Sequence, residues 1–406
     1  MPRLSIVLPV YNVERYLAVC LDTVRQQSVT DLEIVCVDDG STDRSRVLLE
    51  MAAGVDPRVV IVTKENGGLS SARNAGLDAA TGDVVWFVDS DDFVHPKACA
   101  TILAAFEETD AEVVTFGAYP HPGSLGNGWL HRTLTPRARL FQGFHPDLLF
   151  AEASRPFVWR SAFRRDFLLR EGLRFDESVP FGEDQVFYFE AYPLARVTAL
   201  IADKLYYYRV SRPDSLMASR FAERATMMTE HHHITRVILD WWRERGWLDA
   251  YRAEMLGWVF EFLATDAIGE SGELGRDLLA SFARLLGEFF PDGPWLSALP
   301  AATQQLYAEL AGGQPGSDER SRQAALLAWQ GARGPEHAAR ALARRVRDSA
   351  TVAKARGVAG RIMPATVRAE RDRFRELAEQ MEDQAQRQQA LAMLELEWRF
   401  TVRADG

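Results

Sequence analysis

The amino-acid sequence predicts an α/β fold, with a mostly parallel sheet that carries helices on both faces and an α-helical C-terminal region. Over the first hundred residues, short apolar runs rich in Val and Ile alternate with stretches of helical spacing. Strands that are apolar throughout are typical of a parallel sheet covered on both faces. From about residue 220 onwards, the spacing of apolar residues is helical almost throughout.

The predicted strands alternate in chain order with the helices that connect them. The strands are LSIVLPV, LEIVCVDD, RVVIVTK and DVVWFVDSD, and the helices are ERYLAVCLDTVRQQ, STDRSRVLLEMAA and LSSARNAGLDAA. Ser41 or Thr42 is the expected N-cap of the second helix, because a hydroxyl accepts backbone N–H bonds there. Residues 119–145 contain several Gly and Pro and predict a loop or hairpin excursion. Further along, VWRSAFRRDFLLREGLRFDES predicts a helix and then a turn, a helix begins at Glu183-Asp184, and RVTALIADKLYYYRV is strand-like.

Length and composition limit the class of protein. A chain of 406 residues suggests two or three domains, which we place at residues 1–218, 219–332 and 333–406. The net charge of −10 argues against nucleic acid as a partner, since phosphates are neutralised by clustered Lys and Arg. The N-terminus lacks the apolar run of a signal peptide, and no stretch reaches the roughly 18 apolar residues of a membrane span. With three cysteines in no ligand spacing, we expect a cytoplasmic protein.

Polar clusters follow three of the four strands predicted first. They are Pro9-Val10-Tyr11-Asn12, Asp38-Asp39-Gly40-Ser41 and Asp89-Ser90-Asp91-Asp92. Because the carboxyl ends of parallel strands meet at one edge of a sheet, we expect these clusters to lie close together. Crowded carboxylates can hold Mg²⁺ or Mn²⁺ beside a diphosphate. The alternative is an N-cap cluster before FVHPKACATIL, and both interpretations can hold at once.

Three further motifs each have a structural alternative. VDDGSTD suits an Asp-Gly turn into a helix, but a carboxylate at this strand end can also accept the imide N–H of uracil. ENGGLSSARNAG offers Gly67-Gly68 for close backbone approach and a helix N-terminus for an anion, or else an ordinary turn and helix. The acids in FGED either supply a general base or only complement a helix dipole.

The order of these motifs resembles that of the family-two glycosyltransferases with the GT-A fold. SIVLPVYNVERYL, VDDGSTD, GGLSSARNAG, WFVDSDD and GED occur in that order, and the resemblance covers Leu4 to Leu216. It implies a nucleotide-sugar donor, most often a uridine diphosphate (UDP) sugar. The donor-site positions that it identifies are Pro9, Tyr11, Asp39, Arg73, Asn74, Asp89, Arg209 and Ser215.

The resemblance also implies a role for each of these positions. Pro9, Tyr11 and Asp39, at the ends of the first two strands, line the nucleobase pocket, with Tyr11 stacking near the uracil. Arg73 and Asn74 lie near the base and sugar, and Asp89 contacts the ribose or the donor sugar. Arg209 and Ser215, in YYYRVSRPDSLM, meet the diphosphate.

The resemblance further implies the metal ligand and the base. Asp91 is the acid that binds Mn²⁺ or Mg²⁺, and Asp92 either contacts sugar or only caps a helix. Asp184 is the general base that deprotonates the attacking hydroxyl. Its neighbour Glu183 should repel the Asp184 carboxylate and raise its pKa.

These assignments imply a metal-dependent, inverting glycosyltransferase. The acceptor would be a glycan, a polyol phosphate or a lipid-linked compound, such as a cell-envelope glycan or a teichoic-acid-like polymer. One alternative is a nucleotidyltransferase, but PVYNVERYL lacks the Gly-rich, basic phosphate loop that such enzymes carry after the first strand. The other is a non-catalytic carbohydrate-binding or scaffolding module, which the loss of Asp91 or Asp184 would indicate, and both residues are present.

The tail opposes the acidic charge of the rest of the chain. The stretch from Arg340 to Arg375 is rich in Arg. It is either a solvated helix face or a peripheral contact with anionic lipid at the inner face of the cell membrane. The final helix has half-filled heptads, which leaves homo-oligomerisation through the tail as a further hypothesis.

Overall fold

The structure, a computed structural model, describes residues 3–122, 128–152, 154–210, 224–311 and 319–333. Its contacts divide the chain into two units, Met1–Leu326 and Leu327–Gly406. The elements that follow belong to the first unit, except for the end of the last described helix. Ser215 and the basic stretch 340–375 lie outside the described residues, and the three domains stay a prediction.

The first half of the sheet is parallel, as predicted. Its strands run in the order β3-β2-β1-β4. They are β1 (Leu4–Val10), β2 (Leu32–Asp38), β3 (Val59–Thr63) and β4 (Val84–Phe87). Every residue of β1 and β4 is buried, which explains their unbroken apolar sequences. The polar clusters after β1, β2 and β4 therefore meet at one edge of the sheet.

The second half of the sheet is mixed. Its order continues from β4 as β8-β6-β9-β5, and β7 also pairs with β9. These strands are β5 (Phe93–Val94), β6 (Val113–His121), β7 (Arg139–Gln142), β8 (Ser161–Arg164) and β9 (Val197–Arg209). β6 and β9 are parallel, whereas β8 is antiparallel to β4 and β6, and β9 is antiparallel to β5 and β7.

Two segments differ from the sequence prediction. The helix predicted to begin at Val158 is wrong at its start, because Ser161–Arg164 forms β8 and buries Ala162 and Phe163 between β4 and β6. The excursion at 119–145 contains regular structure, since β6 extends to His121 and both a short helix and β7 follow.

The helices of the α/β region connect these strands. They are α1 (Glu14–Arg25), α2 (Ser45–Val55), α3 (Gly68–Ala79), α4 (Ala98–Thr109), α5 (Gly128–Thr133), α6 (Asp147–Phe150), α7 (Arg165–Glu171) and α8 (Glu183–Leu194). On α1, the predicted apolar stripe is buried against the sheet. Each Leu or Val buried in this way stabilises the fold by about 1.5–3 kcal/mol.

The loops after β1 and β2 cap each other's helices. The Glu14 N–H at the start of α1 donates to Asp43 Oδ2 at 3.0 Å, and the Arg44 N–H before α2 donates to Glu14 Oε2 at 2.8 Å. Asn12 Oδ1 also accepts the Thr42 N–H at 2.8 Å. Because neither Ser41 nor Thr42 caps α2, which begins at Ser45, the predicted N-cap is wrong.

The C-terminal region is helical, as predicted. Its described helices are α9 (Arg224–Glu244), α10 (Trp247–Ala250), α11 (Arg252–Val259), α12 (Thr265–Gly269), α13 (Gly272–Phe289), α14 (Pro294–Ser297), α15 (Ala301–Ala311) and α16 (Glu319–Ala332). None of the described helices combines the length and hydrophobicity that crossing a bilayer requires. Trp242 donates to the Phe189 carbonyl at 2.9 Å, and the Trp258 ring lies 4.4 Å from the Phe189 ring. The helical region thus packs against α8.

Candidate active site

Three carboxylates converge in the loop after β4. Asp89, Asp91 and Asp92 each offer an oxygen within 4.8 Å of the others. Among the residues that the structure describes, no other set of three His, Cys, Asp or Glu side chains converges in this way. The crowding anticipated from the sequence is therefore real, and the three acids differ in what surrounds them.

Asp92 anchors the loop to β9. Its carboxylate is buried and accepts the Tyr206 hydroxyl at 2.8 Å and the Arg209 N–H at 2.6 Å. Burial, followed by the charges of Asp91 and Asp89, holds the pKa of Asp92 well above its usual range. Asp92 does not cap α4, which begins six positions further along the chain, at Ala98. Both oxygens of Asp92 thus accept hydrogen bonds from β9.

Arg73 connects the acids after β4 with the acids Glu183 and Asp184 at the start of α8. Arg73 is 2% exposed, and its guanidinium donates to Asp89 Oδ1 at 2.8 Å and is hydrogen-bonded to Glu183 Oε1. Burial by itself would lower the pKa of Arg73, but the carboxylates of Asp89 and Glu183 outweigh it and raise this pKa above its usual range. A buried cation between two acids is strongly favoured only while both partners stay in place. Arg73 thereby fixes the distance between the β4 loop and the start of α8.

Asp184 lies at the N-terminus of α8, where the sequence predicts the base. Gly182 precedes it at φ +74°, and a Cβ there would lie 2.8 Å from Ile234 Cδ1. Asp184 Oδ2 accepts the Phe157 N–H at 2.7 Å. Burial raises the pKa of Asp184 to about 6, and the Glu183 charge adds to the rise. The predicted direction is confirmed, but desolvation outweighs the Glu183 repulsion that we expected as the cause.

The nucleobase positions lie at the ends of β1 and β2. Pro9 is buried within β1, and the Tyr11 side chain is 48% exposed just beyond it. Asp39 is buried, accepts Lys64 Nζ at 2.6 Å and also accepts the N–H groups of Gly67 and Gly68 at 3.0 and 2.9 Å. The Asp39 carboxylate thus ties β2 to the first turn of α3.

Asn74 lies on α3 and is hydrogen-bonded to the segment before α8. Its amide donates to the Phe175 carbonyl at 2.9 Å and to Glu177 at 3.0 Å, and it accepts the Phe175 N–H at 2.9 Å. These bonds fix the loop before α8, and the predicted position of Asn74 near the base and sugar stays a prediction. Its neighbour Arg73 is also buried and is hydrogen-bonded to Asp89 and Glu183.

The carboxylates after β4 could hold a divalent cation. Asp91 and the second oxygen of Asp89 are hard ligands of the type that Mg²⁺ and Mn²⁺ prefer. Arg209 lies next to this position and donates from Nε to the Asp91 carbonyl at 2.8 Å. The guanidinium of Arg209 also stacks over Tyr16 and Phe93, at 5.0 and 5.7 Å from the ring centroids.

Sequence reasoning missed three residues of the site. Phe157 supplies the N–H that holds Asp184, Tyr206 holds Asp92, and Trp159 stacks on Tyr206 with ring centroids 4.1 Å apart. The apolar composition of FVW and YYY was visible, but it indicates a core as readily as a site. Only the pairing of distant segments brings these residues to the acids.

The class of fold follows from this architecture together with one structural comparison. The crystal structure of S. aureus TarS 1-349 in complex with UDP has a TM-score of 0.61 to this chain at 22% identity, covering 82% of this chain and 91% of that one. The shared architecture is the GT-A fold of glycosyltransferases. Residues 5–170 match the model of glycosyl transferase family 2, and this segment is a domain of that family.

Relatives named as glycosyltransferases match a similar part of the chain. "Uncharacterized glycosyltransferase EpsJ" of Bacillus subtilis is 34% identical over 223 residues, which are 53% of this chain and 63% of that protein. The poly(ribitol-phosphate) beta-glucosyltransferase of Bacillus spizizenii is 32% identical over 222 residues, 53% of this chain and 33% of that protein. The chain thus spans less than two thirds of the length of these curated relatives.

Proposed function

We propose that the protein is a metal-dependent, inverting glycosyltransferase that moves a sugar from a UDP-sugar to a hydroxyl group of a cell-envelope glycan or a teichoic-acid-like polymer. The family-two domain supports the class of reaction. TarS, which has this fold, was crystallised with UDP, and one relative is named for glucosyl transfer to poly(ribitol phosphate). The observation that carries the proposal is the Arg73 bridge. The buried guanidinium of Arg73 pairs with Asp89 after β4 on one side and with Glu183 of α8 on the other.

Asp184 is the proposed general base. A base works best when its pKa lies near the operating pH, and a carboxyl raised to about 6 is ionised at neutral pH yet a better proton acceptor than an ordinary Asp. The Phe157 N–H fixes one of its oxygens. With one base and in-line attack of the acceptor hydroxyl, the anomeric carbon inverts.

The donor side divides into base, sugar and diphosphate positions. Tyr11, exposed at the end of β1, is the proposed stacking surface for uracil. Asp39 is the proposed acceptor for the imide N–H of uracil, which would share its carboxylate with Lys64 and the N–H groups of Gly67 and Gly68. A divalent cation held by Asp91 and Asp89 would supply positive charge beside the leaving diphosphate. Arg209 is close enough to this position to add a second positive charge.

The test is nucleotide binding followed by turnover. UDP, GDP, CDP and TDP would be titrated by calorimetry with and without Mn²⁺, and nucleotide release would then be followed from a panel of sugar donors. We expect UDP to bind with metal, Asp91→Asn to lose the metal effect, and Asp184→Asn to bind without turnover. Glu107→Gln, an exposed acid that pairs with Arg3, is the charge-matched control and should match the wild type. Absence of binding by every nucleotide would refute the proposal and favour a non-catalytic module.

A further inference from the structure

Four aromatic rings in mutual contact lie beside Asp184, and we call them the aromatic wall: Trp129, Phe157, Trp159 and Tyr208. Phe157 stacks on Trp159 at 5.1 Å between ring centroids, and Tyr208 lies 5.4 Å from Phe157 and 5.2 Å from Trp159. Trp129, on α5, meets the edge of this group at 6.4 Å and is 44% exposed. Trp159 is buried behind the other rings, and Phe157 and Tyr208 are partly exposed.

The wall is attached directly to the proposed base. Phe157 has φ +78° and ψ +88°, a conformation that costs a non-glycine residue roughly 1–3 kcal/mol in general. In this conformation its N–H donates to Asp184 Oδ2, its carbonyl accepts the Tyr188 hydroxyl at 3.1 Å, and its ring joins the wall. One strained residue therefore both orients the base and presents a ring next to it, where an acceptor would have to lie.

Tyr208 places the wall close to both sets of acids. Burial, and then the carboxylates of Asp92, Asp91, Asp89 and Asp184, hold the pKa of the Tyr208 hydroxyl above its usual range. A ring bound against the wall would therefore lie near the proposed donor site as well as near the proposed base.

We propose that the aromatic wall is the acceptor subsite of the enzyme and that it takes the flat face of a neutral sugar ring rather than a polyol phosphate. The C–H groups of a sugar face carry slight positive charge and pack against the negative face of an aromatic ring. A polyol phosphate chain offers no such face. This inference rests on the proposed function, since it requires Asp184 to act on the bound acceptor.

Saturation-transfer NMR tests the subsite without requiring turnover. The probes are methyl glycosides of the common hexoses and N-acetylhexosamines, with ribitol phosphate as the charged comparison, all in the presence of UDP and Mg²⁺. We expect saturation on the protons of one sugar face. The apparent dissociation constant should rise about tenfold in Trp129→Ala, near the upper limit for one aromatic contact, and recover in Trp129→Phe.

Two further variants separate the wall from general damage. Phe157→Gly keeps the N–H and tolerates positive φ, so it should lose sugar binding while Asp184 keeps its donor. Tyr119→Ala removes a ring of matched exposure, 45%, that stacks on Tyr207 on another face of β9, and it should leave sugar binding unchanged.

Three results would overturn the proposal: no sugar face saturated in the wild type, equal affinity in wild type and Trp129→Ala, or tighter binding of ribitol phosphate than of every neutral sugar. Calorimetry of UDP with Mg²⁺ is run on the same samples. Failure of UDP to bind the wild type would count against the proposed function, whereas normal UDP binding with any of the three results would count against the acceptor subsite alone.

Discussion

Replacing Asp184 by Asn should make the protein more stable while it abolishes turnover. The pKa of Asp184 is raised from 3.8 to about 6, and each unit corresponds to about 1.4 kcal/mol, so ionisation costs the folded state about 3 kcal/mol. Because the pKa of Asp184 is higher in the folded protein than in the unfolded chain, the protonated carboxyl favours the folded state. This contribution to the free energy of unfolding is fully present below about pH 4 and is lost as the pH rises through about 6. Asn removes the charge but still accepts the Phe157 N–H.

Urea denaturation at pH 8 and at pH 4 measures the effect. At pH 8 the free energy of unfolding of Asp184→Asn should exceed that of the wild type by about 3 kcal/mol. At pH 4 the difference should shrink towards zero, since the wild-type carboxyl is then protonated. Nucleotide release from the donor, in the presence of acceptor, should fall to background at every pH.

Glu190 provides a matched control on the same helix. Burial raises its pKa from 4.5 to about 7, so Glu190→Gln should gain a similar stability at pH 8. Its carboxyl has no role in the proposed chemistry, and turnover should remain. The reasoning fails if Asp184→Asn is no more stable than the wild type at pH 8, or if its gain is as large at pH 4.

Three further outcomes are expected. The kcat/KM for nucleotide release should rise with pH along an acid limb of apparent pKa about 6, as the Asp184 carboxyl of the free enzyme ionises; a kcat/KM that is flat from pH 5 to 8 would contradict this base. Arg73→Met should destabilise the fold by about 3–5 kcal/mol in urea, because it leaves two acids without their buried partner; a neutral result would show that the bridge contributes nothing. Asp92→Asn should keep the metal-dependent gain in UDP affinity measured by calorimetry, whereas Asp91→Asn should lose it; equal losses would make Asp92 a ligand as well.

Much of the parallel half of the sheet can be predicted from sequence, because each strand and helix there is determined by its own apolar pattern. Strand β8 could not be predicted in this way. Its four residues, Ser161–Arg164, contain too little periodicity, and their state depends on the gap between β4 and β6 that they fill.

The acids of the site could be identified from the sequence, but the hydrogen-bond partners of each acid could not. Asp92 and Tyr206 are 114 positions apart, and Asn74 and Phe175 are 101 apart, so no local rule connects them. A local capping rule also failed at Ser41, because the carboxylate of Asp43 and the amide of Asn12 act between two loops. Long-range pairing decides which polar residue holds the scaffold and which faces the substrate.

The reciprocal capping of α1 and α2 has an evolutionary consequence. Glu14 and Asp43 each serve the helix that follows the other loop, so a substitution at one position changes the selective value of the residue at the other. Sequence drift in the two loops beneath the proposed nucleobase pocket should therefore be correlated, and the two positions should be exchanged together or not at all. Engineering of nucleotide preference at Tyr11 or Asp39 would consequently meet least resistance if Glu14 and Asp43 were left as a pair.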